Sequence, residues 1–562
     1  MPTAHRRLGY LAAAVVAIGC LALMVAIGSR SRVGHDETGP TVGRPKPELL
    51  RLDTAAAAAP GESGFAATGK DLFASYCAQC HGETGDGKGP AAVFLYPKPR
   101  DFRRGQFRLV TTTNGIAAQD DLERVIAAGM PGSAMFPFAH LPEAARKELA
   151  VYVRELTRAG AADRLRQASL EAGEEPDPKE LAAEVDRLTT PGALVVLPKD
   201  LPAVTAESLT RGKRVYMAAC ASCHGETGKG DGAQDQRDDD GTPTRPRDFT
   251  LGIFKGGRDS YQLYARIAFG MPGTPMPASL QVLKPAEIGD LINFVQSLSD
   301  PAIAKRVEHR RTQLVAAKIN GALDDENSAK QWTRSPGTLI VASPLWWRPH
   351  TPPDLTVQIV HNGQELAIRM TWLDATRNDH PYRPEDFEDM VAIQLFNGQH
   401  EPFLGMGAPS AASDLWMWRA SWQANAMDAD AILDDYPFES AAYAKLTKSR
   451  SSGKAPDFLT ARAAGNLNAD RGRHFSATNL AAEGFGTLTF RPNVSQLVRG
   501  RGTWNDGRWT VVLCRPLTVS AADGQSYAPG EQVSIAFALW DGEARDRDGQ
   551  KLISIWHDLR LE

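Results

Sequence analysis

Cys77-Ala78-Gln79-Cys80-His81 and Cys220-Ala221-Ser222-Cys223-His224 organise this chain, because aligning the two motifs, 143 residues apart, sets a succession of other stretches in matching order around each. Upstream, Gly69-Lys-Asp-Leu-Phe73 matches Gly212-Lys-Arg-Val-Tyr216. Downstream, HGETGDGKG matches HGETGKGDG, and Lys98-Pro-Arg-Asp-Phe102 matches Arg245-Pro-Arg-Asp-Phe249. Gly129-Met-Pro-Gly-Ser-Ala-Met135 then matches Gly270-Met-Pro-Gly-Thr-Pro-Met276. A match of this extent repeats a domain, not a motif. Each copy closes on apolar residues at helical spacing, Glu143 to Thr157 and Pro285 to Leu298, with Tyr152 and Phe294 placed to cross the opening helix. Gly69 and Gly212 would let the helices approach closely there.

Cysteines at i and i+3 lie on one side of a helical turn. Both sulfurs can therefore form thioethers with one porphyrin, while the adjacent histidine reaches its iron; this is the haem c attachment signal. A lone CxxC also suits zinc or redox chemistry. Two copies, each with a matching downstream methionine, turn the balance to haem. The far iron ligand is then sought among Met130, Met135, Met271 and Met276. The order of opening helix, CxxCH, glycine-rich loop, methionine loop and closing helix resembles the class I c-type cytochromes over residues 64–158 and 206–299. That resemblance implies two all-α domains, with His81 and Met135 on one haem and His224 and Met276 on the other, and makes Met130 and Met271 packing residues. Pro90 follows the first glycine-rich loop, whereas the second has Ala233 and a polar, acidic run, Gln234 to Asp240. In the family that proline lies beside the histidine, so the second histidine's surroundings are expected to differ. Thioether and neutral imidazole ligands favour reduced iron, and two filled axial positions favour transfer over catalysis.

The 562 residues suggest three or four domains. A net charge of −4 gives no general attraction to nucleic acid or to an anionic membrane surface. Leu8 to Gly28 is uncharged, long enough to span a bilayer, and preceded by His5, Arg6 and Arg7. An uncleaved transmembrane anchor is favoured over a cleaved leader ending near Gly28, and either exports the rest of the chain to the periplasmic side. Four of six cysteines belong to the CxxCH pairs, which leaves no disulfide framework. Cys20 lies in the apolar segment, and Cys514 reads as a small buried strand residue. Residues 159–205, charge-rich through Ala161 to Thr190, read as a partly helical linker.

From about Gly321 the pattern changes to strand-like runs with turn signals. Asn362-Gly363 between Leu355–Val360 and Glu365–Trp372 is a strong hairpin signal, and Asn505-Asp-Gly507 marks another turn. Further strands are expected at Val391–Phe396, Gly486–Phe490, Trp509–Cys514 and Val533–Trp540, giving an antiparallel β-sandwich over 321–562. The stretches His361 to Asp374, Met390 to Phe396, Pro402-Phe-Leu-Gly-Met-Gly407 with Leu415 to Trp422, Gly500 to Trp509, and Ala536 to Leu561 carry a resemblance. It is to the haem-binding domain of the ethylbenzene dehydrogenase gamma subunit and its relatives in dimethyl sulfide dehydrogenase and selenate reductase. The resemblance implies one non-covalent haem b held between Met406 and Lys551, with Met417 and His557 in reserve. From the residues alone Met406 would pack a core and Lys551 would be solvated; a lysine binds iron only as the neutral amine, which requires burial or the metal to lower its pKa. Asn425 to Glu483 reads as an irregular insertion.

Taken together, the sequence describes two cytochrome c domains, a β-sandwich and a membrane anchor, forming an electron-transfer protein without its own substrate site. The resemblance implies docking on the iron–sulfur subunit of a molybdenum enzyme such as a nitrite, selenate or hydrocarbon oxidoreductase, with exchange to a soluble cytochrome or terminal oxidase. The alternatives are a haem-free β-sandwich that binds a partner or carbohydrate, a dihaem peroxidase, and the haem c subunit of an oxidase. A peroxidase needs an open iron, which paired Met135 and Met276 argue against.

Overall fold

The computed structural model describes residues 67–195, 198–303, 309–324, 329–348, 355–381, 383, 385–398, 401–408, 412–427 and 475–562. The apolar segment at 8–28 lies outside them. Among the described residues no helix is long and apolar enough to cross a membrane.

The first unit opens with the helix Gly69–Tyr76, capped where Thr68 Oγ1 accepts the Asp71 amide and the Asp71 carboxylate accepts the Thr68 amide. The turn Ala78–His81 follows at once, then Gln119–Ala128 leads into the methionine loop. The second unit repeats this with Ala206–Ala219, Ala221–His224, Ser260–Phe269 and the closing helix Pro285–Ser297. In both, the opening helix crosses the closing one backbone to backbone. A methyl group on Gly69 would collide with the Glu148 carbonyl, and one on Gly212 with the Asp290 carbonyl. Phe73 packs on Tyr152 at 5.3 Å between ring centres, and Tyr216 on Phe294 at 5.2 Å.

The first closing helix does not stop near residue 158 but runs from Glu143 to Glu171, and a second helix, Pro178–Thr189, folds back on it. Arg158 pairs with Asp186 at 2.5 Å. Gly160, Ala161, Val185 and Thr189 are buried, so the charge-rich composition coats the outer faces of a packed hairpin. Beyond it the chain returns to the first unit, where Thr113 donates to the Ala193 carbonyl and Val195 to that of Thr111. The stretch read as a linker is thus largely part of the first unit's body.

The C-terminal part is a two-layered β structure. One half contains β2 (Thr338–Ile340), β4 (Leu355–His361), β5 (Glu365–Leu373), β10 (Arg499–Trp504) and β11 (Arg508–Pro516). The other contains β3 (Ser343–Pro344), β6 (Met390–Phe396), β7 (Ser413–Arg419), β8 (Ala477–Ala482), β9 (Thr489–Phe490), β12 (Gln532–Trp540), β13 (Leu552–Ile553) and β14 (His557–Leu561). Alternate residues of both halves, among them Ile359, Ile368, Trp372, Ile393, Trp416, Val511, Ile535 and Phe537, fill one core. The expected hairpin joins β4 to β5, with Asn362 Oδ1 accepting the amides of Gln364 and Glu365. Asp506 and Gly507, both left-handed at φ 48° and 70°, turn β10 into β11.

Three features depart from the sequence reading. The sandwich is mixed, because β1 (Gln313–Lys318) runs parallel to both β14 and β4 and joins the halves. That strand also precedes residue 321, so the domain begins earlier than expected. Finally, β8 lies inside the stretch read as an insertion and pairs with β7, although residues 428–474 lie outside the described residues. Its alanine-rich sequence has little strand propensity, and pairing with neighbours decides it.

Gly212→Ala is expected to lower the stability of the second unit by about 1–3 kcal/mol, because the helices cannot separate without loosening the Tyr216–Phe294 contact. A denaturant melt of the variant unshifted from the parent would refute this crossing.

Candidate functional site

Each CxxCH sits where one helix ends and the next turn begins, so cysteines and histidine share one wall. His81 is buried, and its Nδ1 lies 2.9 Å from the Arg100 carbonyl oxygen. A carbonyl only accepts, so Nδ1 carries the proton and Nε2 is left with its lone pair for a metal. The ring stacks on Phe102 at 4.3 Å. The second unit repeats the stack, His224 on Phe249 at 4.6 Å, and the Arg247 carbonyl lies on the same side, though His224 Nδ1 stands outside bonding geometry. Burial drives both imidazoles down to about 4, which keeps them neutral as iron ligands must be. Burial also pushes the Cys77 and Cys80 thiols up to about 12 and Cys220 to about 11.

The surroundings of the two histidines do differ, since His81 Nδ1 bonds the Arg100 carbonyl and His224 Nδ1 has no partner among the described residues. Pro90 only starts the short turn Pro90–Phe94, while the groups that orient histidine are Arg100 and Phe102, repeated as Arg247 and Phe249. The repeated Pro-Arg-Asp-Phe was visible in the sequence. Its role was not, because a backbone carbonyl leaves no side-chain signature.

A cavity of about 1250 Å³ runs from the first unit into the β domain, lined by Cys77, Cys80, His81, Met130 and Met135 on one side. On the other stand Met390, Met406, Met417, Trp540 and Lys551. Single cofactor sites occupy roughly 300–1,000 Å³, so the space exceeds one. The structure thus places the first unit's predicted ligands and the two β-domain residues in one continuous space. Cys220, Cys223, His224 and Met276 lie outside it, and so does the reserve residue His557, whose Nδ1 accepts the Thr312 amide. His309, which the sequence did not single out, does line it.

The two halves of the cavity are joined by backbone. Tyr96 donates to the Leu345 carbonyl at 3.0 Å and accepts from the Trp347 amide at 2.9 Å, while Leu345 donates to the Lys551 carbonyl at 2.9 Å. Around this bridge Leu95, Leu345 and Ile553 form an apolar cluster that includes Cys80 and Phe136 from one domain and Leu404 and Ala538 from the other.

Met406 lies between Gly405 and Gly407 at φ 118°, a conformation that side chains seldom adopt and that is retained where surrounding structure imposes it. Lys551 is half-buried, and its desolvation lowers the amine to about 8, against a smaller opposing pull from Asp548. Its Nζ stands 4.7 Å from the centre of the Trp540 ring, and it forms no ion pair among the described residues. Its amine thus gives up its proton more readily than that of a solvated lysine, the role its polar loop suggests.

Comparison with known families matches three separate stretches of the chain. The cytochrome c oxidase, cbb3-type, subunit III family matches residues 64–153, the cytochrome c family residues 209–299, and the ethylbenzene dehydrogenase family residues 349–552. The chain is similar to the chlorate reductase subunit gamma of Ideonella dechloratans, with 27 % identity over 209 residues covering 37 % of this chain and 64 % of that one. It is also similar to the dimethylsulfide dehydrogenase subunit gamma of Rhodovulum sulfidophilum, with 25 % identity over 212 residues covering 37 % and 60 %. The chain thus spans less than two thirds of the length of these relatives.

Without haem, Lys551 is expected to titrate near pH 8 rather than in the ordinary lysine range near 10, and Asp548→Asn to lower it further. Because the unfolded chain then binds more protons, stability should rise with pH between about 8 and 10, and Lys551→Met should remove that rise. Lysine-resolved NMR titration and melts across this range check both, and a Lys551 signal at the ordinary value would refute the desolvated amine.

Proposed function

We propose that this chain, which joins two cytochrome c domains to an ethylbenzene dehydrogenase-type domain, relays single electrons for a partner oxidoreductase. The relay uses haem c at Cys77, Cys80 and His81, haem c at Cys220, Cys223 and His224, and haem b between Met406 and Lys551. Met135 and Met276 complete the two c sites. The observation that carries this reading is the continuous cavity, in which the first CxxCH and the Met406–Lys551 pair face one space without a protein wall between them. Bound haem supplies an iron that takes and gives one electron. The chain's own residues do the rest: the Arg100 carbonyl and Phe102 fix the His81 ring, partial burial lowers the proton affinity of the Lys551 amine, and the cluster around Leu95, Leu345 and Ile553 excludes water. The order along the path is haem b, then the first haem c, then the second.

Similarity to gamma subunits named for chlorate reductase and dimethylsulfide dehydrogenase supports a place beside a catalytic chain. The partner we propose is the iron–sulfur subunit of a molybdenum enzyme, with a soluble cytochrome or terminal oxidase at the other end. The apolar segment at 8–28 would tether the chain to the outer face of the cytoplasmic membrane.

A pyridine haemochrome spectrum with covalent haem staining tests the count. Two covalent c haems and one extractable b haem per chain are expected. Met406→Leu or Lys551→Met should remove the b haem and leave the stain, while Cys77→Ala with Cys220→Ala should abolish the stain. Full b haem retention in Met406→Leu and Lys551→Met together would refute the ligand pair.

A further inference from the structure

The two cytochrome units meet face to face across a reciprocal contact. Arg247 of the second unit donates to the Pro131 carbonyl in the first unit's methionine loop at 2.9 Å and lies against Gly132. Arg100, its counterpart in the repeat, lies against Gly273 in the second unit's methionine loop. In the same register Arg108 corresponds to Lys255. All four cations line the cavity that holds Cys77, Cys80 and His81, so the second unit contributes two of them to the first unit's pocket.

These charges are poorly matched by protein. Arg108 pairs with Asp238 across the interface, but Arg108 Nε and Arg247 Nε are buried without an acceptor. Lys255 forms no ion pair among the described residues. Asp239 and Asp240 are nearby but exposed, with Asp239 taken up by the Gln106 amide. Burial lowers Arg100 and Arg247 to about 10 and Lys255 well below its ordinary value. Buried cations persist where paired anions and hydrogen bonds compensate their desolvation.

We infer that Arg247 and Lys255 cross from the second unit to complete the first unit's haem pocket, forming with Arg100 and Arg108 a shared cradle for that haem's propionate carboxylates. This rests on the haem c reading of Cys77 to His81. A haem brings two carboxylates, which are the planar acceptors a guanidinium fork matches and the counter-charge the cluster lacks. The cradle makes the second unit a determinant of the first haem's potential. It also ties both methionine loops to the same charges, so the two units must stay docked for the first site to be complete.

The test uses the full, haem-loaded chain carrying Met276→His, which draws the second haem's couple to lower potential so that the first titrates separately. In that background Lys255→Met and Arg247→Gln remove positive charge near the first haem and should shift its reduction equilibrium toward the oxidised form. The expected change is about tenfold for each, or about 59 mV for a one-electron couple. Lys255→Arg and Arg247→Lys keep the charge and should keep most of the potential. Either neutral replacement alone decides the matter if the other does not accumulate. A first-haem couple unmoved by charge removal, with covalent haem still present at Cys77 and Cys80, overturns the cradle. Absence of covalent haem there overturns instead the reading on which it rests.

Discussion

The backbone bridge through Tyr96, Leu345 and Lys551 is the constraint on which the rest depends. Two hydrogen bonds join Tyr96 of a cytochrome domain to the Leu345–Trp347 stretch, and a third joins Leu345 to the residue that carries the desolvated amine. Directional bonds of this kind fix position to within a few tenths of an ångström, whereas apolar contact alone would let the domains slide. With the bridge in place, Gly549 has no room for a side chain against Phe94, and Phe94 itself packs toward Phe485. The sealed seam then does chemical work. Removal from water costs the charged form of any titratable group, and it is this term that comes first for both His81 and Lys551.

The duplicated units put equivalent segments to different uses. After the glycine-rich loop the first unit has Pro90–Phe94 and then Leu95 and Tyr96, which face the β domain. In the second unit the same part of the repeat is the polar stretch beginning at Ala233. Asp238 meets Arg108, Asp239 meets Gln106, and the Pro243 carbonyl accepts the Tyr96 hydroxyl. Arg245 then stacks over Trp347 at 4.2 Å, so this stretch also reaches the β domain beside the bridge. The departure after the second glycine-rich loop forms a docking segment, and the two histidines differ in that His81 Nδ1 bonds a carbonyl whereas His224 Nδ1 does not.

What was legible in the sequence were features whose chemistry requires a side chain or its absence at a fixed spacing. The cysteine pairs, the two glycines at the helix crossings and the Asn362-Gly363 turn belong to this class. What was not legible depended on distant partners. Arg100 acts through its carbonyl, and β8 is a strand because β7 and β9 flank it, not because alanine favours extension. β1 is only six residues long and owes its place to parallel neighbours drawn from either end of the domain. The charge-rich stretch after residue 158 deceived in the opposite sense, since its few small residues were enough to seat a helical hairpin. Family resemblance singled out Met406 and Lys551, for which local pattern gave no reason; the structure half-buries one and holds the other at a positive φ, features that no local pattern signals.

The strain at Met406 and the partial burial of Lys551 oppose stability by different routes, and both need outside support. A left-handed methionine costs of order 1–3 kcal/mol and survives only when neighbours over-determine it. Here the Met406 carbonyl accepts the Gly484 amide, the Gly407 amide bonds to the Phe403 carbonyl, and the side chain packs on Leu415, Leu480 and Ala482 from β7 and β8. Lys551 is held through its backbone by Leu345 and through its charge by the Trp540 face, a contact open to the cation but too weak to keep the proton at its ordinary affinity. A protein selected for stability alone would place glycine at 406, where the backbone is left-handed, and an apolar side chain at 551. Both residues line the cavity that also holds Cys77, Cys80 and His81, so the two costs fall in one place.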